Sequence, residues 1–177
     1  MSARKEIASR AADSEPPLVL FVCRKNEAAS ILAEAILRHL AQGRVRAASA
    51  GDTVAIDVSP YALECLSAHR IATTGLHSKA WGRFFGVDRP PVHVLITLCD
   101  AYAAGVDWGY NNIHTVKVHW PTPEPELVLG SPVDKRLAFE EAFVLLEARI
   151  RKFLALPLAR LSDPALAHQL ARIGEVS

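Results

Sequence analysis

The segment 18–40 limits the possible folds of this 177-residue chain more than any other part of it. Residues 18–22 are consecutive apolar residues, as expected of a strand that is buried on both faces of a parallel sheet. After a short polar turn, apolar residues recur at helical spacing and leave Glu34 and Arg38 for solvent; they are Ile31, Leu32, Ala35, Ile36 and Leu40. Strand, turn and helix in this order predict an α/β fold.

Cys23 opens the polar turn. A turn between the carboxyl end of a parallel strand and the amino terminus of a helix gathers unpaired backbone amides, and these amides favour an anion together with the helix dipole. A cysteine in this place is expected to have a lowered pKa. Since the thiolate is the nucleophile, Cys23 is a candidate catalytic residue.

The rest of the chain continues the same alternation. Further strands are predicted at 45–48, 92–98 and 113–118. Helices are predicted at 57–70, with Ser59 as its cap, at 134–154 and from about Pro164. The apolar face of the helix 134–154 is expected to consist of Leu137, Phe139, Phe143, Leu145, Leu146, Ile150 and Phe153. Strands separated by helices imply right-handed crossovers and a parallel sheet with helices on both faces.

Length and composition favour one domain at 18–177 after a flexible, polar leader at 1–17. The net charge of +1 gives no reason to expect nucleic acid or an acidic membrane surface, and no apolar stretch is long enough to span a bilayer. Three cysteines at irregular spacing fit a reducing compartment, so a cytoplasmic protein is expected. Cys65 is interpreted as a packed thiol. His93 has no partner at metal-ligand spacing, and no metal site is predicted.

The order VLFVC, two residues, Asn26, then Ser30 and AEA resembles the phosphate-binding loop of the low-molecular-weight tyrosine phosphatases and of the arsenate reductases that share their fold. The resemblance implies four strands in the order 2-1-3-4. The family loop is a cysteine, five residues, an arginine, and serine or threonine. In this chain the loop is Cys23, Arg24, Lys25, Asn26, Glu27, Ala28, Ala29 and Ser30. The resemblance implies that Ser30 supports the thiolate and that Asn26 braces the loop.

Ala29 stands where the family has its arginine. A guanidinium binds two oxygens of an oxyanion at once, and losing such a donor costs roughly 3 to 4 kcal/mol in the transition state. Glu27 adds a carboxylate that repels the same anion. Arg24 and Lys25 replace the missing charge only if their side chains turn inward, and a solvated outward position is expected for both.

The resemblance extends to two further positions. Glu124, in the segment 119–126, occupies the place of the family aspartate that protonates the leaving oxygen. Cys99 follows the third strand and matches the cysteine that attacks the arsenylated nucleophile in the reductases. The later cysteine that completes their thiol relay is replaced by Val106. A purely structural role for Cys99 remains an alternative.

Three functions remain open from the sequence. The first is thiol-dependent catalysis on arsenate, phosphate or a phosphate ester, weak or lost for want of the arginine, with glutathione, glutaredoxin or thioredoxin as external reductant. In the second, an inactive relative binds an anion or a protein through the inherited cleft. A third is a redox sensor that uses Cys23 and Cys99. No bound cofactor is expected.

Overall fold

The fold is a four-stranded parallel sheet with helices packed around it. In the computed structural model, residues 15–86, 89, 91–102, 115–158 and 164–175 are described. The strands lie in the order β2-β1-β3-β4, which confirms the predicted order 2-1-3-4. Their bounds are Leu18–Cys23 for β1, Arg46–Gly51 for β2, Val92–Thr97 for β3 and Val116–His119 for β4. Strand β2 runs three residues beyond its predicted end, and the predicted positions 113 and 114 of β4 lie outside the described residues.

The register of the sheet brings its functional candidates to one edge. Cys23 pairs with Gly51 at the end of β2, Val22 pairs with Thr97 in β3, and Thr97 pairs with His119 in β4. All four strands are parallel, so the segments that follow β1, β3 and β4 leave the sheet at its carboxyl edge, where ligands of open α/β sheets bind.

Helical elements cover both faces of this sheet. The helices are α1 at Ala29–Ala41, α2 at Pro60–Ala68, α3 at Pro132–Leu154 and α4 at Pro164–Gly174. All four contribute to one buried core, which packs on Val19, Phe21 and Ile96 of the sheet. The opposite face carries the 3-10 turn Trp81–Phe84 and Tyr102. Among the described residues, no helix is long and apolar enough to cross a membrane.

Helical periodicity predicted most of the buried face of α3 correctly, with one exception. Ser131 and Asp134 form a capping box at its start. Phe139, Phe143, Leu146, Ile150 and Phe153 are buried as predicted. Leu137, also expected on the apolar face, is 57% exposed. It lies two residues from Phe139, about 200° around the helix, and therefore faces away from the core.

One predicted detail at the start of α2 also differs. Ser59 occupies the N-cap position of α2, but its side chain forms no capping hydrogen bond; its backbone N–H instead donates to Glu27 O at 2.9 Å. The described end of the predicted leader, 15–17, lies along β2, because Arg46 N donates to Pro17 O at 2.8 Å. The remainder of the leader, 1–14, lies outside the described residues.

Arg149 of α3 positions the segment that carries Glu124. Its guanidinium donates to Pro121 O at 2.6 Å and to Gly174 O at 2.8 Å, so one buried side chain joins α3, the segment after β4 and the end of α4. Trp120 Nε1 donates to Leu170 O at 2.9 Å on the same side. These bonds hold the chain in place as it leaves β4 for the site.

Candidate active site

The loop 23–29 connects β1 to α1, and the segment after β2 braces it from outside. Thr53 N donates to Arg24 O and Ala55 N to Lys25 O, each at 3.0 Å, and Ser59 N bonds Glu27 O as described above. The backbone carbonyls of Arg24, Lys25 and Glu27 therefore point outward to this segment. That arrangement leaves backbone N–H groups of the loop free to turn inward, toward the sulfur of Cys23.

Gly51 allows the loop to approach the sheet this closely. A Cβ atom at this position would lie 2.6 Å from Arg24 O and 2.9 Å from Asn26 N, both of which are backbone atoms. A Cβ atom less than 3 Å from atoms to which it is not bonded overlaps them. Backbone atoms cannot swing aside as the end of a side chain can. Only glycine fits here, which explains the small-residue sequence SAG at the end of β2.

Cys23 is held by its own loop. Its Sγ lies 2.9 Å from Ser30 Oγ and accepts a hydrogen bond from Asn26 N at 3.3 Å. Burial raises the pKa of the Cys23 thiol, while the bonds from Ser30 and from the loop amides lower it, and burial is the larger effect. The expectation of a lowered pKa was therefore wrong. It counted the favourable amides and left out the loss of hydration.

Asn26 is the centre of the hydrogen bonds that shape the loop. It adopts a left-handed backbone conformation, with φ at 54°. Its Nδ2 donates to Ser30 Oγ at 2.9 Å and to Ser49 Oγ at 2.8 Å. Its Oδ1 accepts from Lys79 N at 2.7 Å, and Ser78 Oγ donates to its backbone carbonyl at 2.8 Å. One side chain thus joins the loop to α1, to β2 and to the segment that precedes Trp81.

A buried ion pair supports this arrangement from below. Lys79 Nζ lies 3.0 Å from Glu34 Oε2, and the two side chains are only 8% and 5% exposed. Glu34 also accepts from Ser49 Oγ at 2.5 Å and from Arg38. The prediction that Glu34 faces solvent was wrong, because its helical position was judged without its distant partners, Ser49 and Lys79.

A cavity of about 70 Å³ opens above the loop. Its walls come from the loop and from the segment after β4; they are Cys23, Arg24, Lys25, Glu27, Ala28, Ala29, Glu124, Pro125, Glu126 and Leu127. Glu124 is thus brought to the same cavity as Cys23. Ala29, which the family resemblance matches to the loop arginine, is buried and lines this cavity.

The charged groups around the cavity oppose one another. Three carboxylates, from Glu27, Glu124 and Glu126, face two basic side chains. Lys25 is 53% exposed and lies 3.5 Å from Glu27, and the side chain of Arg24 is exposed as well. Both basic residues thus take the outward position expected from the sequence, so their charge reaches the cavity through solvent, where it is screened.

Cys99 lies next to the loop on the second face of the sheet. It belongs to the same buried cluster as Cys23 and Tyr102. Burial raises the pKa of the Cys99 thiol to about 12, with smaller contributions from the charges of Cys23 and Glu124, while the Arg24 backbone amide acts in the opposite direction. Val106, which replaces the later cysteine of the relay, lies outside the described residues.

The family model for low molecular weight phosphotyrosine protein phosphatases matches residues 18–163 of this chain. The match spans most of the chain and includes the loop, the buried ion pair and Glu124. The chain belongs to the low molecular weight phosphotyrosine protein phosphatase family. A comparison with curated protein sequences gives no match.

Solved structures with the same fold include both phosphatases and arsenate reductases. An arsenate reductase in its phosphate-binding state aligns with a TM-score of 0.63 at 22% identity, over 78% of this chain and 97% of its own. The thioredoxin-dependent arsenate reductase of Corynebacterium glutamicum gives 0.55 at 22%, over 83% and 64%. The tyrosine phosphatase Wzb of Escherichia coli K30, in complex with sulphate, gives 0.58 at 15%, over 77% and 95%. At these identities the likeness shows the fold.

Sequence reasoning did not identify three residues that the structure places at or beneath the loop. Lys79 and Ser49 complete the hydrogen bonds of Asn26, and Glu126 adds a third carboxylate to the cavity. A lysine flanked by Ser78 and Ala80 carries no local sign that it is buried. The useful signal was Glu34, a lone carboxylate between Ala33 and Ala35 on a helix whose other side is apolar.

Proposed function

We propose that this protein keeps the nucleophilic cysteine of its family but turns over arsenate or phosphate esters weakly or not at all. The observation that carries the proposal is Ala29. Ala29 lines the cavity beside Cys23, where the family resemblance places a guanidinium. Without that bidentate donor, stabilisation of the transition state falls by roughly 3 to 4 kcal/mol, which corresponds to about two to three orders of magnitude in rate.

The charges that line the cavity support the same proposal. A dianionic substrate has to enter beside Glu27, Glu124 and Glu126. The basic residues on the cavity wall are the exposed Arg24 and Lys25, and Lys135 lies 3.6 Å from Glu126 outside that wall. Lys25 is partly neutralised by Glu27 at 3.5 Å. Attraction between exposed charges is weak in water. The balance therefore lowers the affinity for oxyanions compared with a loop that carries an inward arginine.

The protonation of the Cys23 thiol also lowers the expected activity. Because burial raises the pKa of its thiol, the reactive thiolate is a small fraction of the protein at neutral pH. Ser30 and the amide of Asn26 still point at the sulfur, so the machinery that stabilises a thiolate is present. What is missing is the positive charge that would offset the loss of hydration.

Any remaining reaction would follow the geometry of the site. Cys23 Sγ would attack the phosphorus or arsenic atom, and Glu124, on the opposite wall of the cavity, would protonate the oxygen that leaves. Reduction of arsenate would then need two electrons from an external thiol such as glutathione, glutaredoxin or thioredoxin. A thiol-dependent step of this kind requires a reducing compartment, and we therefore place the protein in the cytoplasm.

The test compares wild type, Cys23→Ser, Ala29→Arg and Ala28→Arg in p-nitrophenyl phosphate hydrolysis and in single-turnover arsenate reduction with glutathione and glutaredoxin. Ala28 is buried and lines the same cavity, so Ala28→Arg adds the same charge one residue away from the family position. We expect Ala29→Arg to raise the rate about a hundredfold or more over wild type, and Ala28→Arg to leave it unchanged.

Two results would contradict the proposal. Wild-type turnover at the level of Ala29→Arg, abolished in Cys23→Ser, would show that catalysis does not need the arginine. Equal activation by Ala28→Arg would show that any added charge suffices. If all variants are inactive, phosphate binding measured by calorimetry separates an anion-binding relative from a protein that has lost the site altogether.

The shared burial of Cys23 and Cys99 favours a second candidate function, a redox pair. Both sulfurs lie in one cluster, and the charge of one raises the pKa of the other. With diamide as the oxidant, a disulfide would form as each thiol gives up a proton and an electron, and diamide would become the hydrazine. Peptide mass mapping without reductant should then show a Cys23–Cys99 peptide pair. Two free thiols after diamide treatment would exclude this function.

A further inference from the structure

Cys65, His69 and Glu140 lie together on the surface between α2 and α3, away from the loop. Their three ligand atoms, one sulfur, one ring nitrogen and one carboxylate oxygen, all lie within 4.8 Å of one another. Cys65 Sγ is 3.7 Å from Glu140 Oε2, and His69 Nε2 is 2.8 Å and 3.0 Å from the two carboxylate oxygens. We propose that these three residues bind one divalent transition-metal ion of the zinc class, with water as the fourth ligand.

Two of the three donor separations are close to those of tetrahedral coordination, and the third, from Cys65 Sγ to His69 Nε2, is at most 4.8 Å. With zinc bonds of about 2.3 Å to sulfur and 2.0 to 2.2 Å to nitrogen or oxygen, tetrahedral ligands stand roughly 3.4 to 3.6 Å apart. The observed sulfur-to-oxygen distance of 3.7 Å already meets this, and the nitrogen-to-oxygen distance of 3.0 Å needs to open by about half an ångström. Rotation of the half-exposed Glu140 side chain supplies that movement.

The local structure holds two of the ligands in place before an ion arrives. Cys65 belongs to α2, and His69 follows one turn later at its C-cap, so both project from the same side of that helix. The His69 ring stacks on Phe143 with ring centroids 3.7 Å apart and an angle of 13°. Since the ring cannot turn freely, His69 Nε2 stays directed at Glu140.

The surroundings leave room for a water ligand, and the donor atoms favour a particular class of metal ion. A cavity of about 120 Å³ borders Cys65 and Glu140, which is space enough for the fourth ligand. Glu64, also on its wall, accepts a hydrogen bond from Arg136 at 2.7 Å. A thiolate excludes the hard ions magnesium and calcium, whereas sulfur, imidazole and carboxylate together suit zinc and its neighbours.

Metal binding releases the proton of the Cys65 thiol. Burial and the nearby carboxylates of Glu140 and Glu64 raise the pKa of the Cys65 thiol to about 12, so the sulfur carries a proton at neutral pH. Formation of the metal–sulfur bond releases that proton to solvent, and the ion takes the place of the His69–Glu140 hydrogen bond. Glu140 is separated from Cys65 by 75 residues, which explains why spacing along the sequence predicted no metal site.

The test uses the full chain, freed of metal with EDTA, dialysed and kept reduced with a phosphine, and titrated with Co²⁺. We expect one equivalent to produce a sulfur-to-cobalt charge-transfer band, which Zn²⁺ then removes. The band should vanish in Cys65→Ser and remain in Cys23→Ser. His69→Gln and Glu140→Gln should weaken Co²⁺ binding at least tenfold. Glu141→Gln is the matched control, since it makes the same change one residue along the exposed side of α3 and should bind like wild type.

Absence of the band in wild type would overturn the proposal, as would its persistence in Cys65→Ser or unchanged affinity in both His69→Gln and Glu140→Gln. Because Cys65 is buried, its replacement can disturb α2. His69 and Glu140 are partly exposed, so their variants should stay folded, and the melting temperature of each variant in EDTA is the reference for its own shift with Zn²⁺. Zn²⁺ should raise the melting temperature of wild type and of Glu141→Gln but not that of Glu140→Gln, and equal shifts in all three would also overturn it.

Discussion

Breaking the Glu34–Lys79 pair should destabilise the fold strongly, although neither residue touches the cavity. Removing one partner of a buried ion pair costs about 3 to 5 kcal/mol, because the other charge is left without compensation. The loss of unfolding free energy in Lys79→Met should fall at the lower end of this range, since Glu34 keeps its bonds to Arg38 and Ser49. Glu34→Gln should fall at the upper end, because the Lys79 ammonium then keeps only His77 O, at 2.7 Å.

The assay is urea unfolding, together with thermal unfolding, of both single variants and of the double variant. For a chain of this size each kcal/mol lowers the melting temperature by about 2 to 4 °C, so losses of about 6 to 20 °C are expected. The double variant should lose less than the sum of the two singles, because no unpaired charge remains in it. Glu147→Gln serves as the control, since its exposed bond to Arg151 at 2.7 Å contributes at most about 1 kcal/mol.

A loss below about 1 kcal/mol in both single variants would refute the reasoning, as would a double variant whose loss equals the sum. Either result would mean that water or a rearranged side chain compensates the remaining charge. The measured pair would then act like a surface salt bridge, in spite of its exposure of 8% and 5%.

Three further predictions concern the loop and its neighbours. Gly51→Ala should displace the loop and speed alkylation of Cys23, whereas Gly82→Ala, whose added methyl group meets nothing within 4 Å, should not; equal rates would contradict the clash. Asn26→Ala should cost about 2 to 4 kcal/mol in urea unfolding, because two donors and one acceptor are lost from buried partners, and a cost below about 1 kcal/mol would argue against its central place. Since the pKa of Cys99 is raised from 9.0 to about 12, folded protein keeps a proton that unfolded chain releases, so stability should fall as pH rises between these values. Cys99→Ala should make that fall shallower in unfolding curves measured across the range, and an unchanged slope would count against the shift.

The sheet was predictable because its determinants are local. Buried strands appear as apolar runs, helices as apolar residues at helical spacing, and the family resemblance supplied the order of the strands. The position of Glu124 opposite Cys23 followed in the same way, since both leave the sheet at its carboxyl edge.

The errors share a different physical origin. The burial of Glu34 and the raised pKa of Cys23 both depend on groups that meet only after folding. Lys79 lies 45 residues from Glu34, and no period along the chain can report such a pair. The raised pKa of Cys23 follows from the depth of burial, which depends on how closely several segments pack. The local sequence pattern predicts the helices and strands. Which charged groups become buried, and how their pKa values shift, depends on side chains from distant elements.

The hydrogen bonds that hold the loop from outside determine how far its shape depends on the side chain at position 29. The loop is shaped by Asn26, Ser30, Ser49 and Lys79, together with the outward carbonyls that bond the segment after β2. The side chain at position 29 takes no part in those bonds. The bonds that shape the loop therefore do not depend on which side chain stands at position 29, and the scaffold around Cys23 persists whether or not that position carries a charge.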